Sequence, residues 1–255
     1  MRVAVFSSHT YERDFLSRAN TALDGKHELN FFEARLNPAS ASLVAGHDAV
    51  CAFVNDQLGR NVLEALVTQG IKLVALRSAG FNHVDLQAAR DLGIAIARVP
   101  AYSPEAVAEH AVALILSLNR KTHKAYVRVR DGNFALEGLL GFDLFGRTIG
   151  IIGTGKIGLC FAKIMLGFGC QVIAFDPNRS AEFENLGGRY VDMPELFSGA
   201  DIISLHCPLT PATRHLINKE AISNMKQGVM LLNTSRGAVV DTKALIAGLK
   251  AGKIG

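Results

Sequence analysis

The sequence has 255 residues, 49% hydrophobic and 20% charged, with 27 Lys and Arg against 23 Asp and Glu for a formal charge of +4. That is apolar material for one large core or two smaller ones, and a charge too small to define a nucleic-acid surface. The one dense basic stretch, residues 120–130, closes an apolar helical pattern, where the helix dipole favours cations.

No apolar run approaches a membrane span, and residues 1–8 read as a first strand rather than a signal-peptide core, so neither insertion nor export is expected and the cytoplasm is the expected compartment. The four cysteines, Cys51, Cys160, Cys170 and Cys207, are widely spaced without a C-x-x-C pair. Reduced thiols are expected, not a disulfide framework or a metal site.

Short β-rich runs alternate with amphipathic stretches along the whole chain, the pattern of parallel sheets covered by helices, so the fold class is α/β. The first series of strands reads VAVFS from Val3, ELNFF from Glu28, AVCAFV from Ala49, IKLVAL from Ile71 and IAIARV from Ile94. None runs into a glycine-rich loop. Pro100 then marks a hinge, Ser103 is placed to cap a helix with Pro104 at its first position, and apolar residues continue to Leu118. After a glycine-punctuated stretch, residues 132–146, a second series follows: TIGIIG from Thr148, QVIAFD from Gln171, DIISLH from Asp201 and VMLLNTS from Val229. These patterns predict two doubly wound domains, residues 1–101 and 102–255. Internal repeats and low-complexity segments are absent.

The strand TIGIIG leads directly into Gly153-Thr154-Gly155-Lys156-Ile157-Gly158 and then an apolar helix pattern from Leu159. A lone G-x-G-x-x-G is weak evidence, but strand, glycines and helix in that order form the dinucleotide fingerprint. Gly153 makes the tight turn, Gly155 lets backbone approach a pyrophosphate, and Gly158 allows helix to pack closely on strand; the phosphates meet the positive end of the helix. The next strand ends in Asp176, about 20 residues on, where a carboxylate accepts from ribose hydroxyls and repels a 2′-phosphate, favouring NAD. The alternative is that Asp176 only caps the turn with Pro177, and Arg179 nearby leaves room for NADP.

Ligands of open parallel sheets collect at the carboxyl ends of strands. Three such ends carry chemistry. Residues 77–82, RSAGFN, form a small-residue turn whose free amides suit a carboxylate, or else a simple strand-to-helix turn. His206-Cys207-Pro208 and Asn233-Thr234-Ser235-Arg236-Gly237 end at the cofactor crevice. Arg236 suits a bidentate grip on a carboxylate while polarising an adjacent carbonyl, as 2-keto acid reduction requires, although an arginine before glycine is equally a surface loop residue. His206 could move protons, or close a buried strand with its ring satisfied by backbone.

These segments, with FVNDQLGRNVLEAL, ALRSAGFNHVDL, RVPAYSPEAVAEHA and HCPLTPATRHLIN, make the sequence resemble the D-isomer-specific 2-hydroxyacid dehydrogenases along essentially its whole length. The resemblance implies a flavodoxin-like substrate domain followed by a Rossmann NAD-binding domain, and hydride exchange between NADH and a small 2-keto acid, pyruvate first, giving D-lactate. It implies that Arg236 binds substrate carboxylate and carbonyl, that amides of Ala79 and Gly80 help hold the carboxylate, and that Tyr102 lines the pocket. Thr154, Lys156, Ile157, Asp176, His206, Cys207, Pro208 and Thr213 are then neighbours of the dinucleotide, as Thr234 and Ser235 are by position. Residues 104–118 and the apolar 134–145 stretch would pair two cofactor domains in a homodimer or homotetramer.

The family also places its proton-transfer histidine, the carboxylate partner of that histidine, a further strand and a returning helix past the position matching Gly255. On that basis the Rossmann domain is expected to be incomplete and this stretch alone nearly inactive. Other readings are a dehydrogenase for another small hydroxy acid and a non-catalytic NAD(H)-binding module.

Overall fold

The computed structural model describes residues 1–255, which divide into two compact units, Met1–Tyr102 and Ser103–Gly255. In the first, β1 (Arg2–Val5), β2 (Glu28–Phe31), β3 (Ala49–Ala52), β4 (Leu73–Leu76) and β5 (Ala95–Arg98) form an all-parallel sheet in the order β2-β1-β3-β4-β5. This is the flavodoxin-like order, with its switch point between β1 and β3. The connecting helices are α1 (Thr10–Ala22), α2 (Arg60–Thr68) and α3 (Leu86–Asp91), plus a short 3-10 turn, Ala41–Val44. Alternate strand residues Ala4, Phe6, Val50, Ala52, Val74 and Leu76 meet Val62, Leu63 and Leu66 of α2 and Ala88 and Ala89 of α3 in one core. The period of two along each strand is what delivers them to the same face.

The second unit opens with α4 (Pro104–Arg120) and α5 (Thr122–Arg130). It continues as β6 (Thr148–Ile152), α6 (Lys156–Gly167), β7 (Gln171–Phe175), α7 (Ala181–Asn185), β8 (Arg189–Tyr190), α8 (Met193–Gly199), β9 (Ile202–Leu205), α9 (Lys219–Asn224), β10 (Met230–Asn233) and α10 (Thr242–Lys250). Its sheet is also all parallel, in the order β10-β9-β6-β7-β8, with the switch point between β6 and β9. Core layers lie on both faces. On one, Ala108, Ala111, Val112 and Ile115 of α4 pack with Phe161, Ala162 and Met165 of α6 over Ile149, Ile151 and Val172. Burial on both faces explains why these strands read as continuous apolar runs rather than alternating ones.

The cap at Ser103 forms as read: its hydroxyl accepts from the Ala106 amide at 3.1 Å, with Pro104 opening the helix. The basic stretch is not one helix end. Lys121, at φ +51°, breaks the helix and starts α5, which buries none of its residues. Arg128 of α5 donates to the carbonyls of Ala135 and Glu137, holding the loop that follows. The helix after the glycines begins at Lys156 rather than Leu159, and β8 had no sequence signal. At the outer edge, Ile254 makes a parallel bridge to Val229 beside β10. No helix is long and apolar enough to cross a membrane.

Candidate cofactor and substrate site

The glycine turn sits at the carboxyl end of β6, beside the switch point. Gly153 has φ +99°, and a Cβ there would lie 2.8 Å from the Cys207 amide nitrogen, so only glycine lets this turn pass the end of β9. Gly158 is buried in α6, and a Cβ on it would run into the carbonyl oxygen of Gly153. These two glycines are explained by the chain itself. Gly155 is not: it caps α6 with ordinary φ −65°, is exposed, and a Cβ there would meet nothing within 4 Å. Helix starts favour Ser, Thr, Asp or Asn, yet here no side chain caps the first-turn amides of Lys156, Ile157 and Gly158. Open amides over a glycine with free space above it fit an anionic pyrophosphate.

Asp176 follows β7 directly. Its Oδ2 accepts from the Thr154 amide at 2.7 Å and its Oδ1 from the Asn178 amide at 2.8 Å. The second bond is the local turn that the alternative reading anticipated; the first ties the carboxylate to the glycine loop as well. Across the switch point, Cys207 is buried and Pro208 exposed, and Thr213 donates to the Pro208 carbonyl at 2.6 Å, closing the loop after β9.

His206 is enclosed. Its Nε2 lies 2.9 Å from the buried Ser204 hydroxyl, its ring packs 4.9 Å from Phe161, and Nδ1 is buried without a partner. The expected backbone partner is thus replaced by a hydroxyl two residues back. Loss of hydration pushes the ring down from 6.5 to about 4. In the unfolded chain it protonates near 6.5, so between those values the folded state binds fewer protons. Stability from this group is therefore full above pH 6.5 and declines by about 3 kcal/mol as pH falls to 4. Thermal unfolding measured from pH 7 to pH 4 should show that decline, and His206→Gln should flatten it; an unchanged slope would reject the assignment.

At the end of β10 and just past it, Asn233, Thr234 and Ser235 line a cavity of about 460 Å³ with Ala106, Val107, His110 and Leu114 of α4. The Thr234 hydroxyl is buried and unpartnered. Arg236 is exposed, and its guanidinium has one hydrogen bond, to the Ser235 carbonyl at 3.0 Å, and no carboxylate partner. Asn233 Nδ2 donates to the Arg236 carbonyl at 2.9 Å, fixing the backbone from which that side chain projects. The participation of α4, through His110, had no signature in sequence.

In the first unit, Ala79 and Gly80 follow β4. The Gly80 carbonyl accepts from Ser78 Oγ at 2.8 Å and the Ala79 carbonyl from Arg98 at 3.3 Å, while neither amide is engaged within the chain. Arg77, two residues before Ala79, is partly buried, paired with Glu12 at 3.1 Å and bonded to the Phe6 and Ser7 carbonyls. It anchors the turn to the end of β1. Tyr102, closing this unit, is 69% exposed.

A doubly wound sheet with this turn, these open amides and an acid after its second strand is the arrangement of a dinucleotide-binding unit. Residues 112–255 match the family model "D-isomer specific 2-hydroxyacid dehydrogenase, NAD binding domain". The chain is 52% identical over 255 residues to D-lactate dehydrogenase of Escherichia coli, covering all of this chain and 77% of that protein. A 2-hydroxyacid dehydrogenase homolog of Haemophilus influenzae is 50% identical, with 100% and 76% covered. Among solved structures, the apo form of the Escherichia coli D-lactate dehydrogenase superposes with a TM-score of 0.94 at 52% identity, covering 100% of this chain and 80% of that one. D-lactate dehydrogenase from Aquifex aeolicus, complexed with NAD and lactic acid, gives 0.86 at 36% identity, covering 99% and 74%. The chain belongs to the D-isomer-specific 2-hydroxyacid dehydrogenases. It is an NAD-dependent oxidoreductase of small 2-hydroxy acids.

Proposed function

We propose that the substrate pair is pyruvate and D-lactate. The observation that carries a 2-keto acid substrate is Arg236, a guanidinium without a carboxylate partner projecting from the loop after β10 at the carboxyl edge of the cofactor sheet; within that class, similarity to the D-lactate dehydrogenases supports pyruvate. Bound NADH supplies the hydride for the keto carbon. Arg236 grips the keto acid carboxylate and polarises its carbonyl as charge develops on oxygen. From the first unit, the Ala79 and Gly80 amides and the exposed Tyr102 side chain are the proposed substrate-binding groups. Gly153, Gly155, Lys156, Ile157 and Gly158 receive the pyrophosphate and Asp176 the adenosine ribose. His206, Cys207, Pro208, Thr213, Thr234 and Ser235 complete the walls around the dinucleotide.

Reduction leaves an alkoxide that needs an acid, worth about 10² to 10⁴ in rate. His206 is a poor donor, because its ring is enclosed and neutral at pH 7. The proton therefore comes from a group other than His206. Among a panel of 2-keto acids, pyruvate should show the highest kcat/KM; a larger acid ranking first would move the assignment to another hydroxy acid of the same class.

The same reading includes self-association. Phe134, Leu136, Leu140 and Phe145 are 75%, 80%, 87% and 80% exposed on the loop after α5, an apolar surface that a second copy would cover. Light scattering at micromolar concentration should give at least a dimer, and a monomer would remove this part of the proposal.

A further inference from the structure

Asp176 stands at the end of a chain of hydrogen bonds, buried at its centre, that begins on the far side of its own turn. The Ser180 amide donates to Tyr190 Oη at 2.8 Å, Tyr190 Oη lies 2.7 Å from Thr154 Oγ1, and Thr154 Oγ1 lies 3.3 Å from Asp176 Oδ2. Thr154 and Tyr190 are 3% and 9% exposed. The direction of the chain follows from what each group can do. A carboxylate only accepts, so the threonine proton points to Asp176; the threonine oxygen then accepts the tyrosine proton, and the tyrosine oxygen accepts from Ser180. Each donor faces the carboxylate, and each bond polarises the next.

The Tyr190 ring has separate work. It packs on Phe183 with centroids 4.8 Å apart and carries the Arg179 guanidinium over its face at 5.4 Å. A phenylalanine would supply that packing equally well. The hydroxyl, in a buried site, serves the Thr154 and Ser180 contacts.

We propose that Tyr190 is a positioning residue for cofactor specificity. Through Thr154 and Ser180 its hydroxyl holds the Asp176 carboxylate and the 176–180 turn in the arrangement that accepts from an unphosphorylated adenosine ribose, and so it sets the preference for NADH over NADPH. The inference rests on the reading of Asp176 as the ribose acceptor. Neither the glycine fingerprint nor the acid itself contains this information, because Tyr190 lies on a two-residue strand 14 positions after Asp176.

The test is titration of NADH and NADPH, followed by nucleotide fluorescence, into residues 1–255 as wild type, Tyr190→Phe, Thr154→Val, the double variant and Asp176→Asn. Tyr190→Phe should weaken NADH binding about three- to tenfold while NADPH binding stays within about twofold, so the ratio of the two dissociation constants contracts. The double variant should be no worse than the more severe single one, because both break one chain. A packing role alone would lower thermal stability or both affinities together and leave the ratio where it was; that result overturns the proposal. If Asp176→Asn collapses the ratio and Tyr190→Phe leaves it intact, the Tyr190 inference fails and the Asp176 reading stands. If Asp176→Asn itself leaves the ratio unchanged, the underlying reading fails. Should Tyr190→Phe not fold, Thr154→Val reads the same chain from its other member.

Discussion

Replacing Gly158 with valine is expected to abolish detectable NADH binding and to lower the unfolding transition of the second unit by about 10 °C. The cause is local. A Cβ at this position runs into the carbonyl oxygen of Gly153, which is backbone and has no rotamer to yield. Relief requires α6 to move off β6, and that motion carries away the first-turn amides that face the phosphates. Strain of this kind costs about 3 kcal/mol or more in a packed site, and the affinity loss should exceed about a hundredfold because the loop itself is displaced. Gly155→Ala provides the contrast. Its Cβ meets nothing in the protein and its φ suits any residue, so the unfolding transition should stay within a degree or two while NADH affinity falls. Calorimetric unfolding and fluorescence titration of the two variants separate the glycine that the fold needs from the one that the ligand needs. Equal behaviour of both would contradict the placement of the phosphates.

Arg236→Lys is expected to reduce kcat/KM for pyruvate by about 10² to 10³ while leaving NADH affinity within about twofold. Both side chains keep the charge, so the loss isolates geometry. A guanidinium offers a planar fork to the carboxylate and a further N–H to the carbonyl, whereas an ammonium is a single point charge on a flexible stem. The wild-type side chain is available for this, since it is engaged only by the Ser235 carbonyl and has no acidic partner to compete with substrate. Steady-state kinetics together with NADH titration measures it. A lysine variant with near-normal turnover would remove Arg236 from the reacting centre.

The parts of this protein legible in its sequence are those whose physics is short-range. Ser103 and Pro104 announce a helix start because a cap is made within four residues. The glycines at 153, 155 and 158 announce a dinucleotide turn because each answers a steric demand of a single strand–turn–helix unit, and the apolar runs announce strands buried on both faces. The break at Lys121 was not legible, since a lysine in the left-handed region carries no signal, and the bonds from Asn119 and Lys121 to the Phe142 and Leu140 carbonyls come from residues about 20 positions on.

Sequence alone therefore determined the α/β class, the two series of strands, the position of the fingerprint and the acid that follows it. The tertiary structure decided the rest. Parallel strands are alike as sequences, so their orders, β2-β1-β3-β4-β5 and β10-β9-β6-β7-β8, exist only once the crossovers close. Those orders bring His206 and Cys207 against Gly153 across 53 and 54 residues and put the Tyr190 hydroxyl on Thr154 across 36. They also seat His206 on Ser204 and Phe161 rather than on backbone, and its lowered pKa follows from that burial. Contacts between residues so far apart in the chain leave no periodicity and no motif, because the free energy that makes them belongs to the packed sheet and not to any one segment of it.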